Sequence, residues 1–294
     1  MDLFLNQLFN GVSLASLYLL ASLGLALSFG LMRVINMAHG EMLMLGGYLA
    51  WATLLVVPGA AGILIAMPVA FVGAAAMGGV IQTVLIRRLS ARPLDTLLAT
   101  WGVSLVLQQA ARDLFGAVGV EVRAPAWLEG SVELAGVVIP TARLFIIGVA
   151  VAVLGGLALI LLKTRIGLLV RAVNQDRMMA SATGIAVGRV DLAVFCLGSG
   201  VAGLAGVMLA LLGPVTPSVG QAYIIPAFLV VVMGGLGSIT GTTAAAVILG
   251  VFAALAQLFV DVSVSQMLLL VFVVLFIQFR PQGVVAVRTR QLDA

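Results

Sequence analysis

Polar side chains that could do chemistry are concentrated in one short segment of this chain, residues 33–41. Asn36, His39 and Glu41 lie there, between two long apolar stretches and with no proline among them. Because a buried charge is costly unless it is paired, these groups must lie near water or pair inside the protein. Two interpretations stay open. Either the segment is a polar packing device in which Gly40 admits a close backbone approach, or Asn36, His39 and Glu41 line a polar path.

Small residues form a second pattern, in the last third of the chain. Such residues allow helices to pack closely in lipid, and this is the first interpretation. A glycine-rich break at membrane depth is tolerated only where protein or a water-filled cavity covers the backbone, so it can also line a route for a solute. The first group is Gly198, Ser199, Gly200, Gly203 and Gly206, and the second is Gly234, Gly235, Gly237 and Ser238.

Residue combinations typical of catalysis are scarce. The chain has one histidine and one cysteine, Cys196, which excludes an internal disulfide and a multi-cysteine metal site. It contains no G-x-x-x-x-G-K-S/T loop and cannot hydrolyse ATP in the P-loop manner. Ionisable groups are nearly absent from the centres of the apolar stretches, which disfavours an intramembrane enzyme and an ion-driven transporter. We therefore expect a protein that is not an enzyme and that binds no cofactor or metal itself.

The elements that must position these residues follow from composition. The 294 residues are 63% hydrophobic and 9% charged, whereas a soluble domain is roughly 45–50% apolar and about 25% charged. The mean hydropathy is +1.25. This excludes a cytosolic enzyme, a disordered chain and a nucleic-acid-binding domain, and the net charge of +4 is typical of basic residues retained on the cytoplasmic side of a membrane. We expect an all-α, polytopic integral membrane helical bundle that forms a single transmembrane domain over residues 1–294.

The apolar stretches are long enough to predict nine membrane spans. The number of spans is eight or ten if one of the two doubtful stretches is re-entrant or split. The fourth is short and contains Gln108 and Gln109, and the seventh is interrupted by Pro226. The stretches cover residues 8–31, 35–57, 62–86, 96–111, 143–162, 192–213, 222–240, 242–260 and 264–279.

The charges between the spans predict their orientation. Basic residues outnumber acidic ones in the connection that follows the third span, in the loop 163–191 and in the tail 280–294. Acidic residues outnumber basic ones around 112–142. The positive-inside rule therefore places the loop 163–191 and the tail in the cytoplasm, and the N-terminus and 112–142 outside. Trp127 predicts an interfacial anchor in this external connection, which is either a partly ordered loop or a docking surface for an external protein.

The loop 163–191 contains a stretch that favours an amphipathic helix, residues 167–185. Val173 and Ala180 lie seven residues apart on one predicted face, with Leu169 and Met179 adjoining. Gly184 is a plausible stop signal for such a helix. A helix of this kind either lies on the membrane surface or docks into a groove of a cytoplasmic partner.

Three motifs together resemble one family. They are the run from Val34 to Glu41, the loop from Arg171 to Ile185, and Gly234-Gly235-Leu236-Gly237-Ser238 with Gly241. In this order and spacing they are similar to the branched-chain amino acid permeases of bacterial ABC importers, and the match covers nearly the whole chain. The segments 93–102, 188–191 and 276–283 are similar to the urea-permease branch of that family.

The resemblance implies a multi-pass subunit of the bacterial inner membrane. It pairs there with a second permease of similar fold and with two cytoplasmic ATPases, which bind ATP and Mg. A periplasmic or lipid-anchored binding protein delivers the substrate. The helix within 167–185 then couples ATP hydrolysis to transport, and its family positions are Arg171, Ala172, Asp176, Ala180 and Gly184.

The substrate expected from the closest branch is urea or a related small amide. A small neutral solute needs hydrogen-bonding groups rather than counter-charges, which fits nearly uncharged spans. Branched-chain amino acids are the alternative, because a zwitterion can use helix ends in place of charged side chains. A passive urea or amide channel without an ATPase is an alternative of a different class. An intramembrane enzyme requires His39 and Glu41 to meet inside the bilayer.

Overall fold

The computed structural model describes residues 2–32, 34–90, 92–134 and 137–285. Within these ranges the chain forms a bundle of α-helices with one short hairpin. Residues 286–294 of the predicted tail lie outside the described residues. The helices are α1 (Asp2–Met32), α2 (His39–Val56), α3 (Gly62–Ile81), α4 (Arg87–Leu89), α5 (Pro93–Phe115), α6 (Thr141–Lys163), α7 (Arg165–Gln175), α8 (Arg177–Ala182), α9 (Val187–Ala210), α10 (Val219–Gly234), α11 (Ile239–Ala256) and α12 (Val262–Phe279), with a π-helical turn Gln82–Ile86 joining α3 to α4.

Each of the nine predicted spans overlaps a helix, and the prediction of a polytopic helical membrane bundle is confirmed at that level. In the described part of the chain six helices are long and apolar enough to cross a membrane. The other three predicted spans correspond to α2, α5 and α10. α2 begins with polar residues, α5 contains charged residues at both ends, and α10 has only 16 residues.

A hairpin in the connection between α5 and α6 departs from the all-helical expectation. Its strands β1 (Ser131–Leu134) and β2 (Val137–Pro140) pair antiparallel. Trp127 lies just before β1, donates a hydrogen bond from Nε1 to Ala60 O at 3.3 Å and packs edge-to-face on Phe145. The described residues of this connection therefore include regular structure, and Trp127 fastens it to the bundle.

α1 and α9 form the centre of the bundle. Most of their residues are buried, whereas most of the apolar residues of α12 are exposed and few residues of α6 are buried. α1 packs against α9, α10 and α11, and α9 also packs against α2 and α3. Outer helices that expose apolar side chains are typical of a bundle surrounded by lipid or by other membrane subunits.

Glycines allow the central helices to approach each other at backbone distance. A Cβ atom at Gly24 of α1 would clash with the carbonyl of Gly198 on α9, and one at Gly46 of α2 would clash with the carbonyl of Gly203. Gly206 meets the backbone of Leu43 in the same way. The close-packing interpretation of the small residues in α9 is therefore confirmed, since packing rather than hydrophobicity drives helix association in lipid.

Candidate functional site

The connection between α1 and α2 turns back into the bundle. His39, the first residue of α2, lies with Nε2 3.1 Å from the carbonyl oxygen of Ala21. Ala21 precedes the last residue of α1, Met32, by eleven positions, which is roughly 16 Å along a helix. Residues 34–38 therefore run back beside α1, and α2 begins at the level of the middle of α1 rather than at its end.

Glu41 forms the centre of a buried polar cluster between α2 and α5. It is 1% exposed, and its Oε1 accepts hydrogen bonds from Ser104 Oγ at 2.7 Å and from Gln108 Nε2 at 2.8 Å. Its Oε2 has no partner among the described residues. Because a buried carboxyl needs hydrogen-bond donors, this cluster fixes α5 to the beginning of α2.

The segment around Asn36 also binds to α5, through the backbone of Met37. Asn36 Oδ1 accepts a hydrogen bond from Ala38 N at 3.1 Å, and Met37 N donates to Thr100 Oγ1 at 3.1 Å. Asn36 is 1% exposed, and its Nδ2 has no partner in the described part of the chain. The irregular backbone of residues 34–38 is thus partly satisfied by side chains, as backbone at membrane depth requires.

The polar face of α5 was not predicted from the sequence. Thr96, Thr100, Ser104 and Gln108 are all buried, and they follow one another at intervals of four. Residues at this spacing lie on one face of a helix. The spacing was the available signal, but of these four residues only Gln108 entered the prediction, as a reason to doubt a membrane span.

The glycine-rich segment predicted to line the same path lies elsewhere. Gly235 and Gly237 have φ values of +99° and +82°, which favour glycine, and Ser238 Oγ caps α11 by accepting from Gly241 N at 3.0 Å. A Cβ atom at Gly237 would meet the Cα of Gly30 at 3.2 Å. The segment is therefore a tight turn near the end of α1, whereas His39 lies beside Ala21, nearer the middle of α1.

Gly234 belongs to the same tight turn. A Cβ atom on this last residue of α10 would meet Thr242 N at 2.6 Å, and its carbonyl oxygen accepts from Val285 N at 3.2 Å. The structure therefore gives Gly234 a close-packing position, and a role for the segment Gly234–Ser238 in a path stays a prediction.

His39 and Glu41 bind to different helices. His39 is directed toward α1 and Glu41 toward α5. In the described ranges no group of three His, Cys, Asp or Glu residues is placed to hold a metal ion. The contacts of these two side chains therefore join helices to one another. We call the buried polar residues between α1, α2 and α5 the polar seam: Asn36, His39, Glu41, Thr100, Ser104 and Gln108.

The stretch 167–185 forms two helices rather than the single helix expected. α7 ends at Gln175 and α8 begins at Arg177. The break occurs because Asp176 has an extended backbone and caps α8, accepting a hydrogen bond from Met179 N at 2.9 Å. Asp and Asn compete with helix continuation in this way, because their side chains bind nearby backbone N–H groups.

The residues of this loop that the resemblance singled out have distinct environments. Ala180 is buried, as is Val173, so the predicted apolar face is confirmed for these two. Met179 was expected beside them, but it is exposed because the break at Asp176 turns α8 away from the line of α7. Gly184, with φ +88°, ends α8, and Ile185 N closes the turn by donating to Ala180 O at 3.1 Å.

The first two of these residues have backbone contacts within the loop and α6. Arg171 donates a hydrogen bond from its side chain to the carbonyl of Leu161 at the end of α6. Ala172 O accepts from Asp176 N at 3.2 Å and so holds the last turn of α7. Of the two contacts, only that of Arg171 connects α7 to another helix, α6.

Arg177 was not among the predicted site residues, yet it connects the loop to the centre of the bundle. Its Nη2 lies 2.5 Å from Asp191 Oδ2 on α9, and its Nη1 donates to Leu31 O on α1 at 2.9 Å. Asp191 is buried. An acidic residue in the second turn of an apolar helix, opposite a basic loop, was the signal that could have identified this ion pair.

These features define a class of protein: a multi-pass membrane bundle in which a polar seam connects α1, α2 and α5, and a loop with two short helices is bound to α1 and α9. Residues 7–278 match the family described as branched-chain amino acid transport system / permease component. The chain therefore belongs to the branched-chain amino acid permease family.

Three curated relatives illustrate the similarity, and all match nearly the whole chain. The permease protein LivH of Salmonella typhimurium is 30% identical over 292 residues, which cover 96% of this chain and 95% of LivH. The permease protein BraD of Pseudomonas aeruginosa is 32% identical over 295 residues, with the same shares. LivH of Escherichia coli K12 is 31% identical over 293 residues, again with those shares. No solved structure matches the chain.

Proposed function

We propose that this chain is the permease subunit of an ATP-driven importer of branched-chain amino acids. The observation that carries the proposal is the full-length similarity to relatives that are named high-affinity branched-chain amino acid transport system permease proteins. The comparisons favour this alternative over the expected urea or small amide. The three segments that suggested urea do not outweigh it, and Asp191, in one of them, has a packing role through its pair with Arg177.

The energy source lies on other subunits. The sequence has no phosphate-binding loop of the P-loop type, so we infer that two ATPases bind ATP and Mg and drive the permease from the cytoplasmic side. A second permease of similar fold and a binding protein on the outer side complete the importer. We further propose that the chain lies in the bacterial inner membrane with nine spans, the N-terminus outside and the C-terminus in the cytoplasm, as the charges between the spans favour.

The loop 163–191 supports the coupling part of the proposal. α7 and α8 expose apolar side chains, and Met178 in α8 is 84% exposed. Exposed apolar residues on a short helix are typical of a surface that docks into a groove of a partner. The other side of the loop is bound to α1 and α9 through Arg177. Movement of a docked ATPase would therefore reach the central helices.

The polar seam supports the transport part. A route for a zwitterion through apolar helices needs hydrogen-bonding groups at depth, and Asn36, His39 and Glu41 provide them beside the interrupted start of α2. The glycine turn Gly234–Ser238 lies near the end of α1, and we place it at the cytoplasmic end of the same route. Neutral and zwitterionic solutes fit the seam better than anions do. The seam contains the carboxyl group of Glu41, which repels a negatively charged solute when it is ionised.

The test is uptake of radiolabelled solutes by cells that carry the complete set of subunits. We expect saturable uptake of leucine, isoleucine and valine, lost when this permease is deleted and restored by its gene. Inactive ATPase subunits with a substituted phosphate-loop lysine should abolish the uptake. Saturable urea uptake without leucine uptake would contradict the substrate assignment. Uptake that survives ATPase inactivation would instead identify a passive channel.

A further inference from the structure

A single pair of residues joins two loops that are far apart in the chain. Val120, in the connection between α5 and α6, donates from its N to Val215 O at 3.0 Å, and Val215 N donates back to Val120 O at 2.9 Å. Val215 lies in the loop between α9 and α10. In the described ranges this antiparallel bridge is isolated from the named strands. Two backbone hydrogen bonds can separate without any helix or strand unfolding, and we call the pair Val120–Val215 the outer latch.

The outer latch covers an apolar cluster. Val215 is 2% exposed, and Met44 and Tyr48 of α2 belong to the same buried cluster. Phe115, the last residue of α5, stacks on Tyr48 with the ring centroids 4.2 Å apart. Val120 packs against this cluster from the other side of the bridge. The ends of α2 and α5 therefore meet under the latch in contacts between apolar groups and aromatic rings.

This cluster continues the interface that contains the polar seam. Glu41 and Tyr48 are seven positions apart on α2, as are Gln108 and Phe115 on α5, so each pair lies on one face of its helix, roughly 10 Å apart along it. Gln108 binds Glu41, and Phe115 stacks on Tyr48. Phe115 leads into the connection that the positive-inside rule places outside. A solute that enters this interface from the outer side must therefore pass the cluster before it reaches the seam.

Two features indicate that the cluster can open. The hydroxyl of Tyr48 is buried and has no partner in the described part of the chain, which is unfavourable, whereas water would bind it if the cluster separated. A cavity of about 140 Å³ also lies beside Val215, with Leu43 and Val219 in its wall. The loop that carries Val215 is therefore not closely packed on that side.

We propose that the outer latch is the outer gate of the transport route. It is closed in this structure, and it separates during the transport cycle so that the substrate passes from the outer side to the polar seam. The inference rests on the proposed function, in which the seam is part of the route. The alternative is a fixed tether, in which Val120 and Val215 stay paired throughout the cycle.

A reversible cross-link distinguishes a gate from a tether. Residues paired in this way have Cα atoms about 5.5 Å apart, within the usual disulfide range of about 4.4–6.8 Å. Val120→Cys and Val215→Cys are combined with Cys196→Ser in the complete importer in proteoliposomes. Oxidation with copper phenanthroline should lower leucine uptake at least tenfold, and dithiothreitol should restore it. Mass spectrometry measures the fraction that is cross-linked.

The hairpin of the same connection provides the matched control. Glu133 and Val138 are paired across β1 and β2, and both are exposed. Cross-linking Glu133→Cys to Val138→Cys should leave uptake unchanged. If the cross-linked latch transports as fast as the reduced protein, or if the control pair lowers uptake equally, the latch is not a gate.

Labelling of a buried cysteine tests the closure without any transport. Gly119 and Gly116 have φ values of +84° and +85°, so alanine is strained at both. Only at Gly119 would the added Cβ clash with the carbonyl of Val215, whereas no atom lies within 4 Å at Gly116. Leu43→Cys, with Cys196→Ser, places the reporter in the cavity wall, where Leu43 is 2% exposed. A membrane-impermeant maleimide added outside should react at least fivefold faster in Gly119→Ala than in Gly116→Ala.

The two experiments separate this inference from the proposed function. Equal labelling rates in the two alanine variants would show that the latch does not close the cluster, even if the cross-linked variant fails to assemble. If the unmodified importer transports no branched-chain amino acid, the proposed function fails, and the labelling rates still decide whether the latch closes the outer side.

Discussion

The guanidinium of Arg177 lies 2.5 Å from the carboxylate of Asp191 and binds the short helix α8 to the second turn of α9. The same side chain donates to the carbonyl of Leu31, near the end of α1. Because the last carbonyls of a helix have no partner within it, Arg177 also satisfies one that α1 leaves open. A single side chain thus connects the loop to the two central helices of the bundle.

We expect Arg177→Gln to uncouple ATP hydrolysis from transport. Glutamine cannot bind Asp191 and Leu31 at the same time, so movement of α8 would no longer reach α1 and α9. In proteoliposomes containing the complete importer, leucine uptake should fall at least fivefold while ATP hydrolysis persists.

Arg189→Gln is the matched control, because Arg189 is an exposed arginine at the same end of α9, in its first turn. Its uptake should be close to that of the unmodified protein. If Arg177→Gln transports normally, or if Arg189→Gln has an equal effect, the ion pair does not transmit the movement.

Ala180→Leu should abolish uptake by displacing α8. Ala180 is buried against the bundle, and added methylenes in a packed site cost about 1–3 kcal/mol. Ala182→Leu is the control, because Ala182 is exposed in the same helix. The amount of subunit in the membrane and its association with the ATPases should be measured together with uptake. Equal loss of uptake in both variants would instead indicate that the exposed surface of α8 is what matters.

Asp176 should act as a helix cap rather than as a charge for a partner. Replacing an N-cap by alanine costs about 0.5–2 kcal/mol, whereas serine is itself a good cap. We therefore expect Asp176→Ala to lower leucine uptake severalfold and Asp176→Ser to restore most of it. A serine variant as impaired as the alanine variant would show that the carboxylate itself contacts another subunit.

The helices could be predicted from the sequence because membrane spans are local features. A long apolar stretch must satisfy its backbone internally, so it becomes a helix whatever its neighbours are. Asn36, His39 and Glu41 were also identifiable, since polar residues stand out in an apolar chain. The tight packing of Gly198 and Gly203 followed from the same kind of local pattern.

The partners of these residues could not be predicted, because they depend on how distant helices meet. Glu41 binds residues that are 63 and 67 positions away. The break at Asp176 was missed for a different reason. A capping side chain interrupts a helix without changing the apolar pattern on either side, so residues 167–185 resembled one continuous helix.

Gln108 donates a hydrogen bond to Glu41 and so helps to hold α5 against α2. We therefore expect α5 to separate from α2 more easily when this bond is removed. Gln108→Leu removes a donor from the buried carboxyl group of Glu41, which costs about 1–3 kcal/mol. The melting temperature of the purified subunit should fall by several degrees.

Gln109→Leu is the matched control for that experiment. Gln109 is exposed, and among the described residues its side chain bonds only to Asp113 on its own helix, so its removal should change the melting temperature little. If the two variants melt at the same temperature, the seam does not hold α5 in place.

The close crossing of α2 and α9 predicts opposite effects for two Gly→Ala substitutions. At Gly46 a Cβ atom would clash with the carbonyl of Gly203, so Gly46→Ala must push α2 away from α9 and lower the melting temperature of the subunit. At Gly156, in α6, no atom lies within 4 Å of the added Cβ. Since alanine favours a helix interior over glycine by about 0.5–1 kcal/mol, Gly156→Ala should raise the melting temperature slightly. If both substitutions are neutral, or if Gly46→Ala is the stabilising one, α2 and α9 do not cross at backbone contact.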